Sequence, residues 1–318
     1  MTSTSIILAQ IALQATEAAA IASARWRGLG NKNDADQAAV DAMRTSFQSA
    51  PFDGCVVIGE GEIDEAPMLY IGERVGAGGM KVDIAVDPLE GTKLCAHDAP
   101  NAMTVVALAQ AGGLLHAPDM YMDKLAIGPG YPAGLIDLDL APAENITRLA
   151  RAKGVAAREI RACVLDRPRH ERLIDELRRV GAGIRLIPDG DVAGVFWTTE
   201  AARSGIDIYF GSGGAPEGVL AAAAIRCAKG QMQARLLPET EAEAARVRAM
   251  GQADVNKKLT LDDLVRADVV FAASGVTDGS MFDGVRFEAG AAHVDSLVWD
   301  SATGRRSRVR SVWPGPTA

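Results

Sequence analysis

The sequence has few aromatic residues, few cysteines and histidines, and fewer basic than acidic residues. Among its 318 residues only 5% are aromatic, 4 are cysteine and 4 are histidine, and 33 lysines and arginines stand against 41 aspartates and glutamates. The net charge of −8 argues against a general nucleic-acid-binding protein, because phosphate backbones repel such a surface. A small phosphorylated ligand stays compatible with it, since that needs only a local basic patch.

Long apolar runs and paired cysteines are also missing. No stretch approaches about 18 consecutive apolar residues, so we expect no membrane-spanning helix. No basic residue precedes Arg25, and polar residues interrupt the N-terminal apolar positions, so we expect no cleaved leader and a cytoplasmic protein. The cysteines are widely separated and form no C-x-x-C pair, which indicates free thiols in a reducing compartment.

Strand-like and helix-like patterns alternate along the chain, which is typical of an α/β fold. Helical spacing predicts one helix before Trp26 and a second over 34–47, with Asp34 as its N-cap. We place a boundary near residue 160, which separates an N-terminal α/β subdomain (1–160) from a C-terminal α/β subdomain (161–318). Further strands are predicted at 55–59, 82–87, 103–109, 161–166, 184–188, 206–210, 269–274 and within 292–312, and further helices at 144–153, 170–180 and 216–228.

Two acidic segments follow apolar strands and indicate a metal site. The first, residues 59–65, carries four carboxylates, and the second, residues 87–92, reads Asp-Pro-Leu-Glu-Gly-Thr. Like charges this close repel each other, and a divalent cation is the simplest partner because hard cations take oxygen ligands. A solvated acidic loop is the alternative for the first segment. The second segment favours a metal site, because a plain turn after a strand would not require aspartate, glutamate, glycine and threonine together. Pro88 is expected to end its strand.

Three later segments have the composition of a sugar-phosphate site. The glycine-rich residues 211–218 follow a strand and open a helix, whose free N–H groups favour phosphate, although packing alone explains such turns equally well. Their spacing does not match the dinucleotide-binding fingerprint. Arginines on both sides of Pro168 suit a phosphate clamp, with a solvated charged loop as the alternative. The segment 189–191 can accept hydrogen bonds from sugar hydroxyls or cap the next helix.

With these motifs in this order, the chain resembles the class II, GlpX-type fructose-1,6-bisphosphatases of the lithium-sensitive sugar phosphatase superfamily. The matching segments lie at 32–36, 57–73, 83–92, 117–122, 167–170, 188–193 and 213–218 and span nearly the whole chain. The resemblance implies a layered α/β/α/β/α sugar-phosphatase fold with two α/β subdomains, of which the N-terminal one (1–160) would bind metal and the C-terminal one (161–318) would bind the sugar phosphate. It also implies a metal-dependent phosphatase of gluconeogenesis that hydrolyses the 1-phosphate of fructose 1,6-bisphosphate to fructose 6-phosphate and phosphate.

The resemblance assigns roles to individual residues. The metal ligands that it implies, for Mn²⁺ or Mg²⁺, are Asp36, Glu60, Asp87, Glu90 and Glu217. The substrate-binding residues that it implies are Glu90, Gly91, Thr92, Tyr121, Arg167, Pro168, Arg169, Asp189, Gly190, Asp191 and Gly214. The catalytic group that we expect is Thr92, Asp64, Glu62 and Lys32. In this hypothesis the metal lowers the pKa of a water, and Thr92, helped by Asp64 or Glu62, orients that water for in-line attack on phosphorus.

Other functions stay open at this point. The same chemistry suits sedoheptulose 1,7-bisphosphate, both bisphosphates, or an inositol monophosphate, and two arginines near the site favour a second phosphate. An inactive sugar-phosphate sensor would not need to keep Thr92 and the carboxylates, and seven ordered motifs argue against a merely structural α/β protein. We expect a homo-oligomer, dimer or tetramer, with no nucleic-acid or membrane partner. Asn31 stands where many relatives have an acid, and there we expect a local electrostatic change without loss of metal.

Overall fold

The computed structural model describes residues 3–61 and 68–314. Its helices are α1 (Ser3–Ala24), α2 (Lys32–Gln48), α3 (Thr92–Ala96), α4 (Pro142–Lys153), α5 (Glu171–Arg179), α6 (Asp191–Trp197), α7 (Ala201–Ser204), α8 (Ala215–Ala228), α9 (Glu241–Ala249) and α10 (Leu261–Leu264). Its strands are β1 (Phe52–Ile58), β2 (Arg74–Val75), β3 (Met80–Glu90), β4 (Met103–Gln110), β5 (Tyr121–Ile127), β6 (Arg161–Leu165), β7 (Gly183–Ile187), β8 (Ile208–Gly214), β9 (Gln231–Leu236), β10 (Leu259–Thr260), β11 (Val269–Gly275), β12 (Arg286–Glu288), β13 (Ala291–Asp300) and β14 (Arg305–Pro314).

The mixed α/β class is confirmed, and the chain forms two compact units, each with its own sheet. The first unit comprises Met1–Leu114 and Ala267–Ala318, and the second comprises Leu115–Arg266. These units differ from the predicted division at residue 160. Strand β5 pairs with β8 and β9 of the second unit, whereas β11 pairs with β4 and so returns the C-terminal strands to the first. Local periodicity carries no information about such long-range pairing.

The sheet of the first unit has the order β12-β13-β11-β4-β3-β1-β2, with β14 paired to β13. Strands β1 and β3 are parallel neighbours, so their carboxyl ends lie at the same edge of the sheet. Helices α1 and α2 contact each other and the sheet. Small residues such as Ala15 and Ala19 on α1, and larger ones such as Met43 and Phe47 on α2, are fully buried in one core.

Helix α1 is long and apolar enough to cross a membrane, by length and composition alone. In the structure its alanines lie in the core of the first unit, and its polar side chains bond to strands of the same sheet. The buried Glu17 carboxylate accepts hydrogen bonds from Ser296 Oγ at 3.1 Å, Ser311 Oγ at 2.7 Å and Trp313 Nε1 at 2.7 Å. These contacts are those of a core helix that is fixed in one register against β13 and β14.

Replacing Glu17 with alanine is therefore expected to destabilise the first unit by about 2–3 kcal/mol, because the buried Ser296 hydroxyl and two half-buried donors lose their acceptor. Urea unfolding of the two proteins measures the difference, and activity per folded molecule should not change. The control is Glu241→Ala, which removes an exposed ion pair with Arg248 and should cost less than about 1 kcal/mol. Equal unfolding midpoints for Glu17→Ala and the unmodified chain would contradict the assignment.

The sheet of the second unit has the order β10-β9-β5-β8-β6-β7. Helices α4 and α5 pack on one face, where Leu125 and Phe210 lie in an apolar core. Helices α6 and α8 pack on the other face, where Gly194 lies against Tyr209. Because β6, β7 and β8 are parallel, their carboxyl ends share one edge. The antiparallel β5 begins at that edge, where Tyr121 is opposite Gly214.

Candidate functional site

In the first unit, predicted metal ligands lie at the shared carboxyl edge of β1 and β3. Glu60 follows β1, and its backbone N–H donates to Leu69 O at 3.0 Å. Asp87 and Glu90 lie near the carboxyl end of β3. The topology therefore brings these three carboxylates to one edge of the sheet. Glu62 and Asp64, predicted as catalytic, lie outside the described residues.

The prediction that Pro88 ends its strand is wrong, although the proline does disturb the pairing. Strand β3 continues to Glu90, but its register against β4 shifts between Asp87 and Glu90. Proline has no N–H to donate to the neighbouring strand. The next N–H, that of Leu89, donates instead to Asp87 Oδ1 at 3.1 Å. The carboxylate of Asp87 thus stabilises the irregularity that it occupies, and Glu90 beyond it is buried.

A left-handed glycine connects this irregularity to α3. Gly91 has φ +83°, a region that other residues rarely adopt, and a Cβ there would press on the side chain of Leu94. Thr92, the predicted catalytic hydroxyl, is half-buried and begins α3. The chain therefore passes from Glu90 to Thr92 through a turn whose backbone conformation only glycine adopts easily.

The start of α2 is fixed beside α3. Gly28 N and Gly30 N donate to the last carbonyls of α3, at 3.0 and 2.8 Å. Asn31 is the N-cap of α2, and its Oδ1 accepts from the Asp34 N–H at 3.2 Å. The prediction that Asp34 is the N-cap is therefore wrong, because the asparagine three residues earlier takes that role and the helix begins at Lys32. This cap sets the first turns of α2 that carry Lys32 and Asp36.

Asp36 lies on α2 in a partly desolvated position. Burial raises the pKa of Asp36 to about 6, and the nearby charge of Lys32 opposes the shift. Desolvation disfavours an isolated carboxylate, so this side chain is stabilised by an added cation. Lys32 itself is exposed at the start of the helix.

In the second unit, Arg169 is fixed at the edge where β8 ends. Its Nε donates to Ser212 O at 3.2 Å and Oγ at 3.0 Å, and its Nη2 donates to Ser212 O at 2.7 Å. The guanidinium also lies over the ring of Tyr121, 4.8 Å from the centroid. Such contacts order an otherwise mobile side chain before any ligand binds. Two predicted substrate-binding residues, Arg169 and Tyr121, are thus in direct contact.

The other members of the predicted sugar-phosphate group follow the ends of β6 and β7. Pro168 begins a 3₁₀ turn. Arg167 is half-buried, and its Nη2 lies 3.8 Å from Asp189 Oδ1. Gly190, with φ +86°, precedes α6, and Asp191 is the buried first residue of that helix. The parallel strands bring these residues to one edge of the sheet. The sequence motifs predicted each segment separately and did not show that the segments lie close together.

His170 supports the turn that carries Arg167 and Arg169, hereafter the arginine turn. The sequence did not identify His170 as a candidate site residue. Its Nε2 accepts the Ser212 N–H at 2.9 Å, and its Nδ1 lies 2.8 Å from Leu165 O, an arrangement that requires the neutral ring. Burial lowers the pKa of His170. The position next to Arg169 was visible in the motif, but no sequence pattern distinguishes a buried structural histidine from an exposed one.

Acid should therefore destabilise the second unit through His170. A folded pKa below the unfolded value of about 6.5 means that the contribution is complete above pH 6.5 and declines as the pH falls below it. We expect a slope of up to about 1.4 kcal/mol per pH unit from this group. Urea unfolding between pH 5 and pH 8 measures it. His170→Gln should flatten the dependence and the exposed His97→Gln should not; equal slopes in both variants would refute the assignment.

The glycine-rich turn makes room for two carboxylates. Gly214 precedes α8, and a Cβ on it would overlap the Glu217 carboxylate; a Cβ on Gly213 would overlap that of Asp191. The Glu217 Oε2 atom is buried, and no described residue gives it a hydrogen bond. Burial and then Asp191 raise the pKa of Glu217, whereas Lys124 opposes them. The sequence left phosphate binding and simple packing open for these glycines, and it gave no indication of the space they provide for the two carboxylates.

The predicted metal ligands are of the chemical type that binds a divalent cation. Within residues 3–61 and 68–314, no three or more histidine, cysteine or acidic side chains are already gathered to hold a metal ion. The predicted ligands are nevertheless all carboxylates, the donors that hard cations prefer. The unpartnered Glu217 Oε2 and the desolvated Asp36 are both groups that a cation would stabilise.

The family model and the curated relatives that the chain matches agree on one family. The model of the family described as "Bacterial fructose-1,6-bisphosphatase, glpX-encoded" matches residues 7–313. The chain is 44% identical over 312 residues to fructose-1,6-bisphosphatase 1 class 2 of Escherichia coli K12, covering 93% of this chain and 92% of that protein. A class 2 enzyme of Shigella flexneri gives the same values. Among solved structures, the extragenic suppressor protein SuhB of Bartonella henselae matches with TM-score 0.36 and 13% identity, over 63% of this chain and 74% of its own.

Proposed function

The chain belongs to the glpX-encoded, class 2 fructose-1,6-bisphosphatase family, and from this membership we propose that it hydrolyses the 1-phosphate of fructose 1,6-bisphosphate to fructose 6-phosphate and phosphate. The observation that carries the proposal is 44% identity to the Escherichia coli enzyme over 93% of the chain. The carboxylates of Glu60, Asp87 and Glu90 at one edge of the first unit's sheet are consistent with this activity, as is the arginine turn of the second unit. Carboxylates suit a metal-assisted phosphoryl transfer, and arginines suit a substrate with two phosphates.

The metal in this proposal is Mn²⁺ or Mg²⁺. The residues that would hold it are Asp36, Glu60, Asp87, Glu90 and Glu217. When bound, such a cation offsets the negative charge of the phosphoryl oxygens and makes a water more acidic. Two observations support individual members of this set: no described residue gives Glu217 Oε2 a hydrogen bond, and burial raises the pKa of Asp36.

The side chains of the first unit would orient the reacting groups. The Thr92 hydroxyl would hold the attacking water in line with the phosphorus and the leaving oxygen. Glu62 or Asp64 would accept the proton of that water. Lys32, exposed at the start of α2, would place positive charge near the phosphate. Glu90 and Gly91 would contact the substrate from the turn that carries Thr92.

The side chains of the second unit would recognise the sugar phosphate. Arg169 is already fixed by Ser212 and Tyr121, so it would bind a phosphate with little ordering cost. Arg167 makes a longer contact with Asp189 and would turn towards the ligand. Pro168 keeps the two arginines in one rigid turn. The residues that would accept hydrogen bonds from sugar hydroxyls, or admit the sugar to the backbone, are Asp189, Gly190, Asp191 and Gly214.

Phosphate release from the purified chain with Mn²⁺, with and without a chelator, tests the proposal. The substrates are fructose 1,6-bisphosphate, sedoheptulose 1,7-bisphosphate, fructose 6-phosphate and inositol 1-phosphate. We expect chelator-sensitive release from fructose 1,6-bisphosphate and little from the monophosphates. Comparable release from both bisphosphates would broaden the substrate class to sugar bisphosphates. Preferential release from inositol 1-phosphate, or none from any substrate despite Mn²⁺ binding, would overturn it.

A further inference from the structure

Lys124 is a lysine whose side chain is buried throughout its length. It is 1% exposed, lies on β5, and forms an ion pair through Nζ with Asp191 at the start of α6. A buried ion pair is often no more stabilising than apolar residues of the same volume, because both charges lose their hydration. Stability alone is therefore a weak reason for a lysine at this place.

A second carboxylate, that of Glu217, feels the same ammonium group. Lys124 and Asp191 act on Glu217 with opposite electrostatic signs. A Cβ on Gly213 would lie 3.2 Å from Lys124 Nζ and against Asp191, and a Cβ on Gly218 would lie 3.3 Å from Lys124 Cε. One buried cation thus stands between α6 and α8 with two carboxylates near it, and with both carboxylates ionised the group carries one net negative charge.

We propose that Lys124 is a positioning residue that sets the charge balance of this group, holding Asp191 in place and offsetting one of the two carboxylates. The inference rests on the proposed function, in which Glu217 binds the metal and Asp191 binds the sugar phosphate. With both carboxylates ionised, the group has a charge of −1 with the lysine and −2 without it. A more negative group attracts a divalent cation more strongly and repels a sugar bisphosphate more strongly. Lys124 therefore weakens metal binding and strengthens substrate binding.

Lys124→Met keeps most of the length of the side chain and removes its charge. The Kd for Mn²⁺, titrated into the metal-free full chain without substrate, should fall on the order of tenfold, since a unit charge near a divalent ion is removed. The KM for fructose 1,6-bisphosphate should rise by about tenfold, with a smaller change in kcat. The opposite signs are the signature, because a purely structural defect would weaken both interactions.

Lys153→Met is the matched control. Lys153 Nζ pairs with the buried Asp207 at 2.6 Å in the same unit, and neither residue belongs to the proposed site. Its loss should leave the Mn²⁺ affinity, KM and kcat unchanged. A shift of the Mn²⁺ Kd in this variant equal to that in Lys124→Met would overturn the inference, because the effect would then be common to any lost lysine.

The double variant Lys124→Met/Asp191→Asn restores the net charge of −1 and removes the buried carboxylate that the single variant leaves without its ion-pair partner, so it also covers a failure of the single variant to fold. Compared with Asp191→Asn alone, the double variant should bind Mn²⁺ about tenfold more tightly. Equal or weaker Mn²⁺ binding would overturn the inference. If the unmodified chain hydrolyses no sugar bisphosphate, the proposed function fails on its own, and the Mn²⁺ titrations still decide the charge effect.

Discussion

Replacing Asp87 with asparagine is expected to lower kcat/KM for fructose 1,6-bisphosphate by at least about 10³-fold, because several kcal/mol of metal-derived stabilisation of the transition state are lost. The substitution separates charge from structure. An asparagine Oδ1 can still accept the Leu89 N–H, so the irregularity in β3 keeps its hydrogen bond. The lost property is the negative charge that a hard cation requires. Phosphate release at saturating Mn²⁺, together with Mn²⁺ titration of the metal-free variant, measures both consequences.

Asp83→Asn on the same strand is the matched control. Asp83 is buried four residues earlier, and its Oδ2 accepts from Gly112 N at 2.8 Å and Leu114 N at 3.3 Å. A neutral amide oxygen can keep these bonds, so we expect some loss of stability but a kcat/KM within about threefold of the unmodified chain. Full metal-dependent turnover in Asp87→Asn, or an equal loss in Asp83→Asn, would show that Asp87 is not a metal ligand.

The sequence identified much of this chemistry because the motifs lie at the ends of apolar strands. Alternating strand and helix patterns predicted the mixed α/β class, which is confirmed, and the resemblance named the family that the comparisons support. The roles of the individual residues stay predictions. Asp87 and Glu90 could be singled out because acidic residues beside proline and glycine are unusual after a strand. Their common edge with Glu60 follows from the parallel pairing of β1 and β3 in the structure.

The rest could not be predicted, because it depends on pairing between distant segments. The predicted boundary at residue 160 cut through the chain where periodicity weakens, whereas the compact units are set by the partners of β5 and β11. Lys124 looks like an ordinary surface residue in the sequence, and only the face of β5 that it occupies buries it. Asn31 was noted as a departure from an acidic residue, and the structure gives it a local reason, the capping of α2.

Gly214→Ala is the sharpest test of the second unit, because it moves a proposed ligand without deleting one. Gly214 has φ −59° and ψ 142°, which alanine adopts without strain. The added methyl would overlap the Glu217 carboxylate, the mobile end of a side chain, so that this carboxylate moves and the backbone does not. A displacement of about 1 Å at a reacting centre costs on the order of 100-fold. We expect that loss in kcat/KM, weaker Mn²⁺ binding, and nearly unchanged urea unfolding.

Gly183→Ala provides the comparison within the same unit. A Cβ on Gly183 would meet no atom closer than Ile160 O at 3.5 Å, so this alanine should change neither activity nor stability appreciably. If Gly214→Ala binds Mn²⁺ as the unmodified chain does, the space beside Gly214 does not serve Glu217 as a ligand. If both activity and stability collapse, the glycine is required by the α8 turn itself. Only loss of activity with an intact fold makes the glycine a spacer for the carboxylate, a role that the motif gives no sign of until the side chains are placed.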